Sequence, residues 1–154
     1  SGKCEFYSGR LEATYPVPDY VPPKEDRISN PELARRFPLA LITPPAHHFL
    51  NSTFVNLLGE REPGPTLEIH DSDASARNIL SGRMVRVFND RGSFLATAHV
   101  TERVRPGVVS APSIWWNKLS PGGCNSNSTT SQEITDIGGG ATFYDNLVDV
   151  QAAE

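Results

Sequence analysis

The chain has 154 residues, enough for one domain with a core of its own and no need of disulfide staples. Its formal net charge of −4, with no basic run and no interleaving of aromatic and basic residues, argues against a nucleic-acid partner. No apolar run approaches the ~20 residues that span a bilayer, and no secretory pattern is present, so no membrane contact is expected of this chain.

Two cysteines, Cys4 and Cys124, stand far apart and form no metal spacing. So few thiols fit a reducing compartment, which tilts the expectation toward cytoplasm over periplasm. Residues 14–27 hold four prolines and little apolar periodicity, the character of an extended connection. We therefore expect residues 1–36 to be a linker from an upstream region and residues 37–154 to be the domain.

Leu39 to Thr43 is an apolar run stopped by Pro44-Pro45, as a buried strand ending abruptly would be. The polar stretch Ala46 to Phe54 follows, with a helical turn over 54–58 as its plain structural use. Leu67 and Ile69 alternate with polar neighbours and predict a half-buried strand. Asp71 and Asp73 then offer acceptors to the free amides of a helix expected over Ala74 to Leu80, with Ser81-Gly82 ending it. Met84 to Phe88 is the next strand, and the Asn89-Asp-Arg-Gly92 turn leads into Ser93 to Val100. Arg105-Pro-Gly107 turns the chain into a short strand over Val108 to Ala111, and Leu147 to Val150 supplies a closing one. Strand, helical turn, strand, hairpin, strand is the plan of a small barrel and not of a doubly wound sheet.

The words as well as their order resemble one family. Asp73 to Gly82 followed by Val85 to Gly92 resembles the C-terminal molybdopterin-dinucleotide-binding domain of the dimethyl sulfoxide reductase superfamily. Val104-Arg-Pro-Gly-Val-Val109, Trp115-Trp116, Asn127-Ser-Thr-Thr130 and Thr135 to Asp145 continue the likeness, which runs from Leu39 to Val150. Even Gly2 to Leu11 resembles the segment that precedes this domain in longer members. The resemblance implies a mainly β fold, a double-psi β-barrel with short helices. It also implies a bis(molybdopterin guanine dinucleotide) cofactor carrying molybdenum or tungsten, held between this domain and upstream domains of the same polypeptide. An iron–sulfur cluster, where the parent has one, would belong to the upstream region, as would the metal's protein ligand.

On that resemblance the candidate cofactor contacts are Thr43, His47, His48, Asn51, Ser52, Thr53, Asn125, Asn127 and Asp145. Thr43 ends the expected strand, and the next five gather just past it, where rigid scaffolds present binding groups. Their imidazoles, hydroxyls and amide suit a planar heterocycle rich in donors and acceptors. The bland alternative is a surface loop capping the 54–58 turn. Asn127 falls on the family's asparagine, but Thr129 stands where its usual Asn-Ala-Leu-Thr has leucine. A protein-bound metal is not expected, because adjacent His47 and His48 point to opposite faces of an extended backbone. His70 and His99 sit on separate expected elements with no i, i+4 partner. Cys124 has no nameable base and reads as inert. Gly138-Gly-Gly140 lacks the strand-to-helix setting of a phosphate loop and reads as a close backbone approach. Trp115-Trp116 suits core or interdomain packing better than stacking on a cofactor.

Two other classes compete with an enzyme's cofactor domain. Double-psi barrels also serve as non-catalytic interaction modules, and fold alone does not separate the two. A self-cleaving pyruvoyl decarboxylase is suggested only by Gly92-Ser93, which here lies in a hairpin with no accompanying match. The chain alone is expected to be inactive.

Overall fold

The computed structural model describes residues 2–13, 15–17, 19–47, 53, 55–58, 64–113, 115–136 and 138–153. Six strands close a barrel in the order β1-β5-β2-β4-β3-β6. They are β1 (Leu39–Ile42), β2 (Thr66–Ile69), β3 (Met84–Phe88), β4 (Ser93–Val100), β5 (Val108–Ser110) and β6 (Leu147–Ala152). The mainly β expectation holds, and β3 and β4 have the expected bounds.

Alternation along each strand makes the barrel interior. Leu39 and Leu41, Leu67 and Ile69, Val85 and Val87, and Phe94, Ala96 and Ala98 all point inward and are buried. Val109, Val148 and Val150 complete this cluster, with Ala74 and Ile79 closing it from the side. Two strand pairs are parallel, β1 with β5 and β2 with β4; the other four are antiparallel.

The registers sort the connections between two ends. Strand β6 runs antiparallel to β1 and β3, and the Leu41 amide donates to the Asn146 carbonyl at 2.9 Å, so the residues leading into β6 lie toward the ends of β1 and β3. The end of β5 runs parallel to the end of β1. Thr43, residues 111–113, the 89–92 hairpin and residues 145–146 therefore share one end. The helical turn after β2 and the turn before β5 share the other.

The helix after β2 corrects the expected bounds. It is α3 (Asp71–Ser75), one turn that starts three residues before Ala74. His70 is its N-cap, accepting the Ser72 amide on Nδ1 at 3.2 Å, so Asp71 and Asp73 fall inside the first turn instead of capping it. The left-handed residue that stops the helix is Asn78, with φ 54°, and not Gly82. The Ile79 amide then reaches back to the Ala74 carbonyl at 2.9 Å, the six-to-one closure of a Schellman end. Gly82 serves a later turn, its amide donating to the Ala98 carbonyl at 2.7 Å.

Residues 19–36, placed by sequence in the linker, include a capped helix, α1 (Pro31–Arg36). Asn30 accepts the Leu33 amide, Pro31 opens the first turn, and Arg35 and Arg36 occupy the negative end of the dipole. Arg36 pairs with Asp90, Lys24 with Glu133, and Glu25 with Arg91, so this segment lies along the barrel.

Candidate functional site

Past β5 the chain runs over the Thr43 end in short turns. Trp115 is buried in a cluster with Val55, and Ala46, Trp116 and Leu119 pack against it. Val55 opens the single-turn helix α2 (Val55–Leu58). Ala46 and Val55, described residues on either side of residues 47–54, are thus held in one cluster by Trp115, in line with its expected packing role. The Lys118 ammonium lies 4.3 Å from the Trp116 ring centre, a cation–π contact on the outer side.

A 3-10 turn, Ser126–Thr129, carries Asn127. Asn125 caps it, accepting the Asn127 amide at 3.0 Å while its own amide donates to the Trp115 carbonyl at 2.8 Å and to Asn117 at 2.9 Å. Ser126 is buried, with its hydroxyl bonded to the Pro112 and Ser113 carbonyls. Thr129 is fully buried; its hydroxyl donates to the Ser126 carbonyl and accepts the Asn146 amide at 3.1 Å. Asn125, Ser126 and Thr129 around Asn127 are thereby fixed. The Asn127 side chain itself is exposed and makes no hydrogen bond among the described residues.

That side chain and buried Thr43 line one open cleft of about 610 Å³. Its walls include Ser113, Thr130, Gln132 and the aromatic pair Phe143–Tyr144, whose rings meet edge-on at 4.6 Å. Ser131, Glu133 and Ile134 form a ridge shared with a second depression of about 410 Å³, which contains Asp145. The Glu133 and Asp145 carboxylates are pushed in opposite directions. The Lys24 ammonium, bonded to Glu133, holds the Glu133 pKa below its ordinary value. Partial burial, then the charges of Glu25 and Asp26, raise that of Asp145.

The nine sequence-derived candidates separate in space. Thr43 and Asn127 come together in the cleft, and Asp145 stands across the ridge from them. His47 and Thr53 are exposed and line neither hollow. Asn125 spends its hydrogen bonds inside the chain. His48, Asn51 and Ser52 lie outside the described residues. Among the described residues no three of His, Cys, Asp or Glu gather as metal ligands would.

Sequence reasoning missed Glu25, Arg91 and Asn146. Asn146 is buried, donating to Thr129 and accepting from Asn89 and Arg91 at 3.1 and 3.2 Å. Its only sequence signal was an amide at the mouth of an apolar strand. Asn89 and Arg91 read as turn residues because local turn chemistry hides a long-range role.

The family model described as "Molydopterin dinucleotide binding domain" matches residues 39–147. "Probable oxidoreductase YoaE" of Bacillus subtilis is 35% identical over 98% of this chain and 22% of its own length. "Dimethyl sulfoxide reductase DmsA" of Escherichia coli is 32% identical over 98% of this chain and 20% of its own. Among solved structures, acetylene hydratase from Pelobacter acetylenicus superposes with a TM-score of 0.82 at 23% identity, over 99% of this chain and 24% of that one. The chain thus spans about a fifth of the curated relatives' length.

Proposed function

The chain belongs to the molybdopterin dinucleotide-binding domain family, and on that premise we propose that its Thr43–Asn127 cleft takes the pterin dinucleotide of the cofactor. The single observation that supports this placement is Asn127. Its carboxamide offers a donor and an acceptor to the cleft from a turn in which the Ser126 and Thr129 hydroxyls are already bonded within the chain. The residues present suit the group: a cleft within the usual size range of ligand sites, with polar groups on one wall and an aromatic pair on another.

In this reading the bound form is a bis(molybdopterin guanine dinucleotide) cofactor with molybdenum or tungsten. The metal and its dithiolene ligands supply the redox chemistry when bound. The domain binds, orients and shields. Thr43 and Asn127 meet the pterin dinucleotide directly, and Asp145 offers an acceptor from the adjoining depression. His47, His48, Asn51, Ser52 and Thr53, from the stretch of sequence between Ala46 and Val55, offer further donors, while Asn125 acts by holding Asn127. Residues 1–36 bring the chain in from upstream domains, which close the open side of the cleft. The two parallel strand pairs support a double-psi description of the barrel. The parent is an oxidoreductase, and an iron–sulfur cluster, if it carries one, belongs to that upstream region.

Asn127→Ala in the full-length enzyme tests the placement. Removing the carboxamide leaves cofactor groups unpaired in a closed site, at a cost of about 1–3 kcal/mol. Pterin and metal content should fall while melting of this domain stays at the wild-type value. Unchanged pterin and metal content would overturn it.

A further inference from the structure

The turn that carries Asn127 is seated on the 89–92 hairpin by two donors to one atom. The Thr129 carbonyl accepts Asn89 Nδ2 at 2.9 Å and Arg91 Nε at 2.7 Å. The fit is close: a Cβ on Gly92 would stand 2.7 Å from the Ser128 carbonyl oxygen. Arg91 is not free to choose this orientation. Its two terminal nitrogens pair with both carboxylate oxygens of Glu25, the Nη2 bond measuring 2.9 Å, and Nη2 also reaches Asn146 at 3.2 Å. The Glu25 side chain is only 13% exposed, and its Oε2 accepts the Leu147 amide at 3.3 Å. A guanidinium gripped on its fork by a carboxylate has one orientation, which leaves Nε aimed at Thr129.

We infer that Arg91, anchored by Glu25, is the positioning residue for the Asn127 turn, so that the segment entering the domain helps to set how firmly cofactor is held. The inference rests on the reading of Asn127 as a cofactor contact. Glu25 lies in a proline-rich stretch whose composition suggests a mere tether, yet its carboxylate reaches the hydrogen-bond chain beneath the cleft. Arg91 touches no wall of that cleft, so its effect must pass through the turn.

The test uses the full-length enzyme with Glu25→Gln, Arg91→Lys, the double variant and Asn127→Ala. Amide hydrogen exchange is followed over residues 126–131 and over β3–β4, alongside pterin content. Glu25→Gln and Arg91→Lys should speed exchange over 126–131 about tenfold, the scale of one lost charge-assisted hydrogen bond, and lower pterin content. Exchange over β3–β4 should hold, which a general loss of structure would not allow. The double variant should match the single ones, because the two residues act in series. Wild-type exchange and pterin content in Glu25→Gln and Arg91→Lys would overturn the inference while a pterin loss in Asn127→Ala left the site reading standing. Wild-type pterin content in Asn127→Ala would overturn the site reading, and this inference with it. Faster exchange in β3–β4 as well would also overturn it, assigning the pair to general stability.

Discussion

The Gly107 amide donates to the Asp73 carboxylate at 2.7 Å, tying the helix after β2 to the turn before β5 across 34 residues of sequence. Gly107 has φ 81° and the Arg27 guanidinium stands over it, so the turn is fixed from both sides. Asp73→Ala should therefore lower stability by about 1–3 kcal/mol through an orphaned amide. Asp73→Asn should keep most of that stability, since its Oδ1 still accepts. Denaturant unfolding measures both; equal losses would show that charge matters and not the acceptor.

At Gly92 backbone meets backbone. An added methyl at Gly92 would stand 2.7 Å from the Ser128 carbonyl oxygen and force the turn outward. Gly92→Ala should cost about 1–3 kcal/mol, the usual range for overpacking, and should reduce pterin content in the full-length enzyme. A variant with wild-type melting would mean that the turn yields at no cost.

Thr129 stands where the resembling family has leucine, and the structure supplies its role. Its buried hydroxyl accepts the Asn146 amide. Thr129→Leu leaves that donor without its acceptor and should destabilise by about 1–3 kcal/mol. Thr129→Ser should recover most of the loss. Leucine at wild-type stability would place the value of Thr129 elsewhere.

Asp145 gives a pH signature. Its folded pKa is raised, by burial first and then by Glu25 and Asp26. The folded state thus holds this proton when the unfolded chain has released it, and stability falls as pH rises from the ordinary aspartate range through the raised value. Above that window the charged form carries a standing penalty. Asp145→Asn removes it, so the variant should melt higher than wild type at neutral pH. The gap should shrink toward zero below pH about 4, where both states are protonated. A gap that widens in acid would reverse the assignment.

Much of the barrel could be read directly. The alternation of Leu67 with Ile69, and of Val85 with Val87, reports one buried face, and the Asn89–Gly92 turn marks a hairpin. The bounds of α3 were missed because cap preference ranks aspartate high, yet His70 occupied the cap and left Asp73 for a distant amide. Of the nine candidate contacts read from the sequence, the structure brings Thr43 and Asn127 into one cleft. Glu25, Arg91 and Asn146 were not legible, since a hydrogen-bond network joining residues 25, 91 and 146 leaves no period or spacing in the chain. Locality is what sequence reading senses, and these bonds are not local.

Strand β6 bridges β1 and β3, and its Leu147, Val148 and Val150 belong to the core. A growing polypeptide therefore holds two unzipped strand edges until those residues have left the ribosome. Exposed edges invite pairing with other chains, and so late a closure is a window in which chaperones have work to do. The same geometry imposes a sequence of events on maturation. Asn146, which braces the Asn127 turn through Thr129, takes its place only as β6 zips in, so that turn gains its full set of bonds only after β6 has left the ribosome.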